Sequence, residues 1–256
     1  RRGERLFYLK VEPGAQNAKL CMREHLAGDE RVLVDTEQEA GDGHSSVTTY
    51  GASHDGQLVC FLVSPSGSEY GTLRVLEVDT GRLLDDRIER TRWDAGPWLP
   101  GNDAFLYQRF LDLPDDAPST DRLRSVRVYR HRLGSATEAD RPFFGWDVSP
   151  DYGFGDRLLP FVSLPLGSSH AIGLVSTGVS PNFAFYVAPI GSLDEDPVPW
   201  RQVAGLEDQV RQVAIHGDHL YLLSFKDAPR SKVLRCSLQE PDLESAETVW
   251  PESEAI

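Results

Sequence analysis

The sequence predicts an all-β fold, a β-propeller built from four-stranded antiparallel blades, on three observations. Short apolar or alternating runs recur along the chain, turn residues separate them at intervals near ten residues, and no segment sustains a capped 3.6-residue apolar period. Alternating strand–helix units are missing too, which disfavours a parallel α/β sheet. The turn spacing alone fits a sandwich or barrel equally well. The recurrence of a four-strand unit every ~40 to 60 residues points to blades.

The pattern is clearest over residues 50–88. Runs at 58–63, 73–78 and 82–88 are separated by Ser53-His54-Asp55-Gly56, Ser64-Pro65-Ser66-Gly67-Ser68-Glu69 and Asp79-Thr80-Gly81, which reads as an antiparallel meander. The Asp-Gly and Thr-Gly turns suit reversals that need positive φ, where glycine has no Cβ to clash. Such a unit cannot bury both faces alone and needs similar sheets stacked against it. Before it, strands are expected at 5–11, 19–24, 31–35 and 46–52. After it they are expected at 104–110, 125–132, 158–163, 171–176, 184–188, 210–215, 220–225 and 232–237. Blades are placed at 1–43 (partial), 44–92, 93–142, 143–206 and 207–256, about four to five blades in all.

The bulk properties bound the function. The 256 residues suffice for a sizeable core, and no apolar run of about 18 residues is present, so no membrane span is expected. The formal net charge of -14 argues against binding a nucleic-acid backbone, which needs clustered Lys and Arg. The bunch Arg122, Arg124, Arg127, Arg130 and Arg132 reads as a solvated strand face. Cys21, Cys60 and Cys236 are odd in number and widely spaced, which predicts free thiols rather than disulfides. The chain opens at Arg1-Arg2-Gly3 directly against a strand-like run, as a piece of a longer chain would, and localisation is left open between cytoplasm and periplasm.

No catalytic residue, metal site or cofactor is expected within the chain. A serine hydrolase on an α/β scaffold needs a G-x-S-x-G elbow, and none is present. Gly167-Ser168-Ser169-His170 brings serine and histidine together in sequence but offers no elbow. His216-Gly217-Asp218-His219 lies between two apolar runs and reads as a hairpin turn rather than a metal pair. Asp85-Asp86, Asp115-Asp116 and Asp194-Glu195-Asp196 read as solvated turns. Trp93, Trp98, Trp146, Trp200 and Trp250 occur about once per blade, and packing between blades is the expected role. The long glycine-rich connections at 146–155 and 165–169 are candidate binding loops or blade insertions without a role.

The order of these pieces resembles the N-terminal propeller of the prolyl oligopeptidase family. The resemblance is carried by S-x-D-G at Ser53, an apolar strand, the Ser-Gly-Ser-Glu loop, Arg74-Val75-Leu76-Glu77-Val78 and Asp79-Thr80-Gly81. Gly14-Ala15-Gln16-Asn17 and Arg31-Val32-Leu33-Val34-Asp35 precede these, and Phe105-Leu106-Tyr107-Gln108-Arg109 and His216-Gly217-Asp218-His219-Leu220-Tyr221 follow. The resemblance implies a seven-bladed ring that restricts access to an α/β-hydrolase domain of the same parent chain, which cleaves short peptides after proline. The triad would lie in that domain, leaving this fragment inactive by itself. It further implies substrate contacts at Phe105 and Leu106, where leucine replaces the family's aromatic, and at Thr177 and Val179. Open blade faces would favour self-association. The other reading is a stand-alone propeller scaffold that binds peptide or protein, although WD or Kelch signatures are absent.

Overall fold

The computed structural model describes residues 1–37, 45–65, 68–114, 116–118 and 120–253. Ser66, Gly67, Asp115, Ile256 and the side chain of Arg122 lie outside the described residues. Among the described residues, eighteen strands form five antiparallel sheets, each from strands consecutive in sequence. The first is β1 (Arg5–Lys10), β2 (Lys19–Glu24) and β3 (Glu30–Val34). The second is β4 (Ser45–Ala52), β5 (Leu58–Pro65), β6 (Gly71–Glu77) and β7 (Leu83–Thr91). The third is β8 (Ala104–Arg109), β9 (Arg127–Arg132) and β10 (Arg141–Phe144). The fourth is β11 (Leu159–Ser163), β12 (His170–Ser176), β13 (Ala184–Pro189) and β14 (Arg201–Ala204). The fifth is β15 (Val210–His216), β16 (His219–Ser224), β17 (Lys232–Ser237) and β18 (Glu247–Trp250). Among the described residues, helical structure comprises the start of a helix at Thr36 and Glu37 and short turns such as Asp121–Leu123 and Pro150–Tyr152.

The chain divides into two compact units, residues 1–115 with 129–141 and residues 116–128 with 142–256. In the first unit, strand alternation feeds two cores from one strand. Val59 and Phe61 of β5 pack with Phe7, Leu20 and Met22, whereas Cys60 and Leu62 pack with Trp98, Phe105 and Tyr107. Successive side chains of a strand point to opposite faces, so a sheet with both faces apolar is covered on both. In the second unit Ile172, Phe185 and Val187 pack with Leu220, Leu222 and Leu234. An aromatic group of Phe144, Tyr152, Phe154, Tyr186 and Trp200 fills another part of that unit. Tyr152 belongs to the glycine-rich connection 146–155 and is buried, its hydroxyl donating to the Val198 carbonyl at 2.7 Å.

Three strands are absent from the sequence expectation: β10, β14 and β18. Each is four residues long and has exposed polar positions, so it lacks the apolar run that marks a strand in sequence. Asp86 is a correction. It lies in β7 and is buried, rather than in a solvated turn. Tryptophan packing is also corrected in part, since Trp98 and Trp200 are buried but Trp93 and Trp250 are exposed. The arginine bunch is not a uniformly solvated face. Arg132 is exposed, whereas Arg127 lies over the Trp146 ring and donates to both oxygens of Asp147 at 2.7 and 2.6 Å. The three cysteines are free and buried. His216 and His219 face each other across the β15–β16 hairpin, with Gly217 at φ 56°. The acidic run 194–196 is exposed.

The β8 edge of the third sheet is seated on a close backbone approach. Trp98, bridged to Phe105, donates its indole N–H to the Gly51 carbonyl at 2.9 Å, and the Cys60 thiol donates to the Ala95 carbonyl at 3.0 Å. A Cβ on Gly51 would run into the backbone oxygens of Ala95 and Gly96. Gly51→Ala is therefore expected to cost about 1–3 kcal/mol in urea unfolding. Gly191→Ala, which meets nothing within 4 Å, is the control and should change stability by less than about 0.5 kcal/mol.

Candidate functional site

Phe105 and Leu106 sit in the middle of β8 and are 0% and 1% exposed. The Phe105 ring packs against Trp98 and His131, each with a centroid distance of 5.2 Å. Thr177 follows β12 directly and is half-buried. Its Oγ1 accepts the backbone N–H of Ser180 at 2.9 Å, which fixes the tight turn that lifts Val179 to 94% exposure.

Thr177 also lines a cavity of about 180 Å³ in the second unit. One wall is Thr120 with Asp121, Leu123 and Arg124 from the short turn before β9, and the other is Arg157 and Leu159 at the entry to β11. Asp156 orients Arg124 by accepting from Nε at 3.1 Å and Nη2 at 2.8 Å, while its backbone carbonyl accepts the Ser125 N–H at 2.6 Å. Arg124 Nη1 is 4.0 Å from the half-exposed Asp121 carboxylate, beyond hydrogen-bond reach. Arg157 is exposed and has no ion-pair partner among the described residues. A larger groove of about 730 Å³ in the same unit is acidic, with Glu207, Asp208, Asp227, Asp242 and Glu244 against Lys226 and Lys232. Lys226 is already paired to Asp208 at 2.7 Å.

Hydrolase-type groups come together elsewhere, and their geometry is that of a clasp. In the first unit, Asp86 Oδ1 accepts from His131 Nε2 at 3.0 Å and from the Gly134 N–H at 2.6 Å. His131 Nδ1 lies 2.9 and 3.1 Å from the two Asp140 oxygens, and the Tyr107 hydroxyl donates to Asp140 at 2.7 Å. Both ring nitrogens are occupied by carboxylates, so the ring is held as the imidazolium and has no free nitrogen to act as a base. Burial alone pulls His131 toward the neutral form, but the two carboxylates outweigh it and push the pKa up to about 9. Burial likewise raises Asp86, and the His131 and Gly134 hydrogen bonds outweigh it to leave Asp86 below the usual carboxylate range. Ser169 Oγ and His170 Nδ1 do meet, at 2.9 Å, on an exposed turn, although burial lowers the His170 pKa and no carboxylate orients its other nitrogen.

The sequence gives little warning of the clasp: Asp86 and His131 are 45 residues apart, and a lone histidine among arginines has no signature. Arg157 escapes notice for a similar reason, since one arginine in a glycine-rich loop shows nothing of its partners.

The whole chain, residues 1–256, matches the family described as the prolyl oligopeptidase N-terminal beta-propeller domain, and the chain belongs to that family. Among curated relatives it is 22% identical over 246 residues to a prolyl endopeptidase of Elizabethkingia meningoseptica, covering 96% of this chain and 33% of that protein. It is also 22% identical over 255 residues to a prolyl endopeptidase of Elizabethkingia miricola, covering 99% and 34%. A solved prolyl endopeptidase structure superposes with a TM-score of 0.84 at 24% identity, over 99% of this chain and 36% of that one. Prolyl oligopeptidase B from Galerina marginata, bound to a 35mer hydrolysis and macrocyclization substrate, superposes with a TM-score of 0.77 at 18% identity, over 98% and 37%. The chain thus spans about a third of the length of the curated relatives it matches.

The clasp makes a signed prediction. His131 has a folded pKa near 9 against about 6.5 unfolded, so its contribution is full below about pH 6.5 and is lost as pH rises through about 9. Unfolding free energy should fall by about 3 kcal/mol across that window, followed by chemical denaturation at fixed ionic strength. His131→Gln should flatten that fall and cost about 3–5 kcal/mol at neutral pH by leaving buried carboxylates unpaired.

Proposed function

We propose that this chain is the substrate-gating propeller of a prolyl-oligopeptidase-like serine peptidase that cleaves short peptides after proline. The family match over residues 1–256 is the observation that carries this reading. The sequence has no G-x-S-x-G elbow, and the histidine cluster found here is saturated, so the serine chemistry belongs to an α/β-hydrolase domain of the same parent chain. Thr177 and Val179 would touch the peptide from the loop after β12, and Phe105 and Leu106, buried in β8 of the first unit, would contribute through the packing behind the substrate surface of that unit.

A chromogenic peptide with proline before the scissile bond tests the reading, assayed on this chain and on the longer parent protein in parallel. Hydrolysis by the parent alone is expected. Hydrolysis by neither, with the parent folded, would overturn the reading in favour of a binding scaffold.

Self-association is proposed for the chain on its own. Val32 of β3 and Trp250 of β18 are 46% and 67% exposed on sheets that carry apolar residues on both faces, and such surface promotes association. Sedimentation should show mass rising with concentration. A strictly monomeric species throughout would remove this proposal.

A further inference from the structure

We propose that the 180 Å³ cavity between the Asp121–Leu123 turn and the entry to β11 binds a carboxylate of a short peptide, with Arg157 as the principal contact. The inference rests on the peptide-handling reading above and names the chemical group that this surface selects.

Three observations converge. Arg157 projects from the loop before β11, exposed and without a carboxylate within 4.0 Å among the described residues. In a chain of formal charge -14, a guanidinium at a cavity wall with no internal partner is an open site for an anion. Arg124 is preorganised beside it. Asp156 holds the Nε–Nη2 edge, and Nη1 lies 4.0 Å from the Asp121 carboxylate, an ion pair too long for a hydrogen bond. A fork fixed in this way binds a planar carboxylate with less ordering cost than a free side chain. Of the remaining walls, Thr120 and Thr177 bring hydroxyls and Leu123 and Leu159 bring apolar surface, while the half-exposed Asp121 carboxylate stands beside Arg124 and leaves Arg157 as the cation of the cavity without an ion pair among the described residues.

Size selects among ligands. A water occupies about 30 Å³ of liquid, so 180 Å³ holds a carboxylate with one modest side chain. Pockets that enclose a whole drug-sized ligand run to about 300–1,000 Å³. One residue of a peptide therefore enters while the remainder lies outside. The carboxylate can be the chain terminus or an acidic side chain, and the two are separable by experiment.

The test is direct binding to this chain, followed by fluorescence anisotropy with three N-terminally labelled tripeptides. One ends in a free carboxylate, one is its C-terminal amide, and one is an amide with glutamate as the last residue. The free acid, the glutamate amide or both should bind at least tenfold tighter than the neutral amide, and the pattern identifies the source of the carboxylate. Arg157→Gln should remove that tenfold preference, and Arg157→Lys should restore part of it. Arg157 is exposed, so an unchanged melting temperature is expected for both variants. Thr177→Val should weaken carboxylate binding without abolishing the preference. Equal binding of all three peptides, no binding of any, or a preference that survives Arg157→Gln would overturn the inference. Hydrolysis by the parent protein is measured separately, so the gating reading stands or falls on its own assay.

Discussion

A sheet with apolar residues on both faces has to be covered on both, and this requirement organises the molecule. It is most visible in β5 and β6. Val59, Phe61 and Leu76 enter one core while Cys60, Leu62, Leu73 and Val75 enter another, so neither strand has a face to give to water. Stacked sheets answer the requirement because each sheet is at once covered and covering. Several of the polar exceptions are satisfied within the stack. Trp98 and Cys60 hydrogen-bond to backbone carbonyls, and His131 is enclosed by Asp86 and Asp140. Breaking such a buried set by removing one partner leaves an uncompensated charge, so the strands that carry it are tied to one another.

The sequence showed the fold where apolar residues run or alternate over five or more positions and hid it in four-residue strands with polar ends. The apolar runs of β5, β12 and β16 stand out because most of their positions are covered. The edge strands β14 and β18 carry Arg201, Gln202, Glu247 and Thr248 facing solvent, and their pairing is set by the neighbouring strand rather than by their own composition. Long-range polar partners were equally hidden. Asp85 and Asp86 look alike in sequence, yet one is exposed and the other is buried against His131. Thr177 was reached only through family resemblance, while its companion Arg157 became visible once the loops before β9 and β11 stood side by side in the second unit.

The fold alone does not choose a chemistry, since one architecture supports many sites. Here the proposed selective elements sit on irregular connections: the turn after β12, the short turn before β9 and the loop before β11. Rigid sheets position these loops while leaving their sequences free to vary, and recognition is carried on just such segments. The saturated histidine cluster marks the contrast, being polar, buried and committed to holding strands together.

Every sheet is made of strands consecutive in the chain, in the orders β1-β2-β3, β4-β5-β6-β7, β10-β9-β8, β11-β12-β13-β14 and β15-β16-β17-β18. Among the described residues, each hydrogen-bonded ladder joins strands that are neighbours in the sequence. During synthesis each of these sheets can therefore pair as soon as its own residues leave the ribosome, and β4–β7 then cover the first sheet just as β15–β18 cover β11–β14. Local pairing of this kind shortens the loops that must close, and N-terminal segments fold first as the chain is made. The strand order thus writes an assembly schedule into the polypeptide, with the sheet last made always the one awaiting cover.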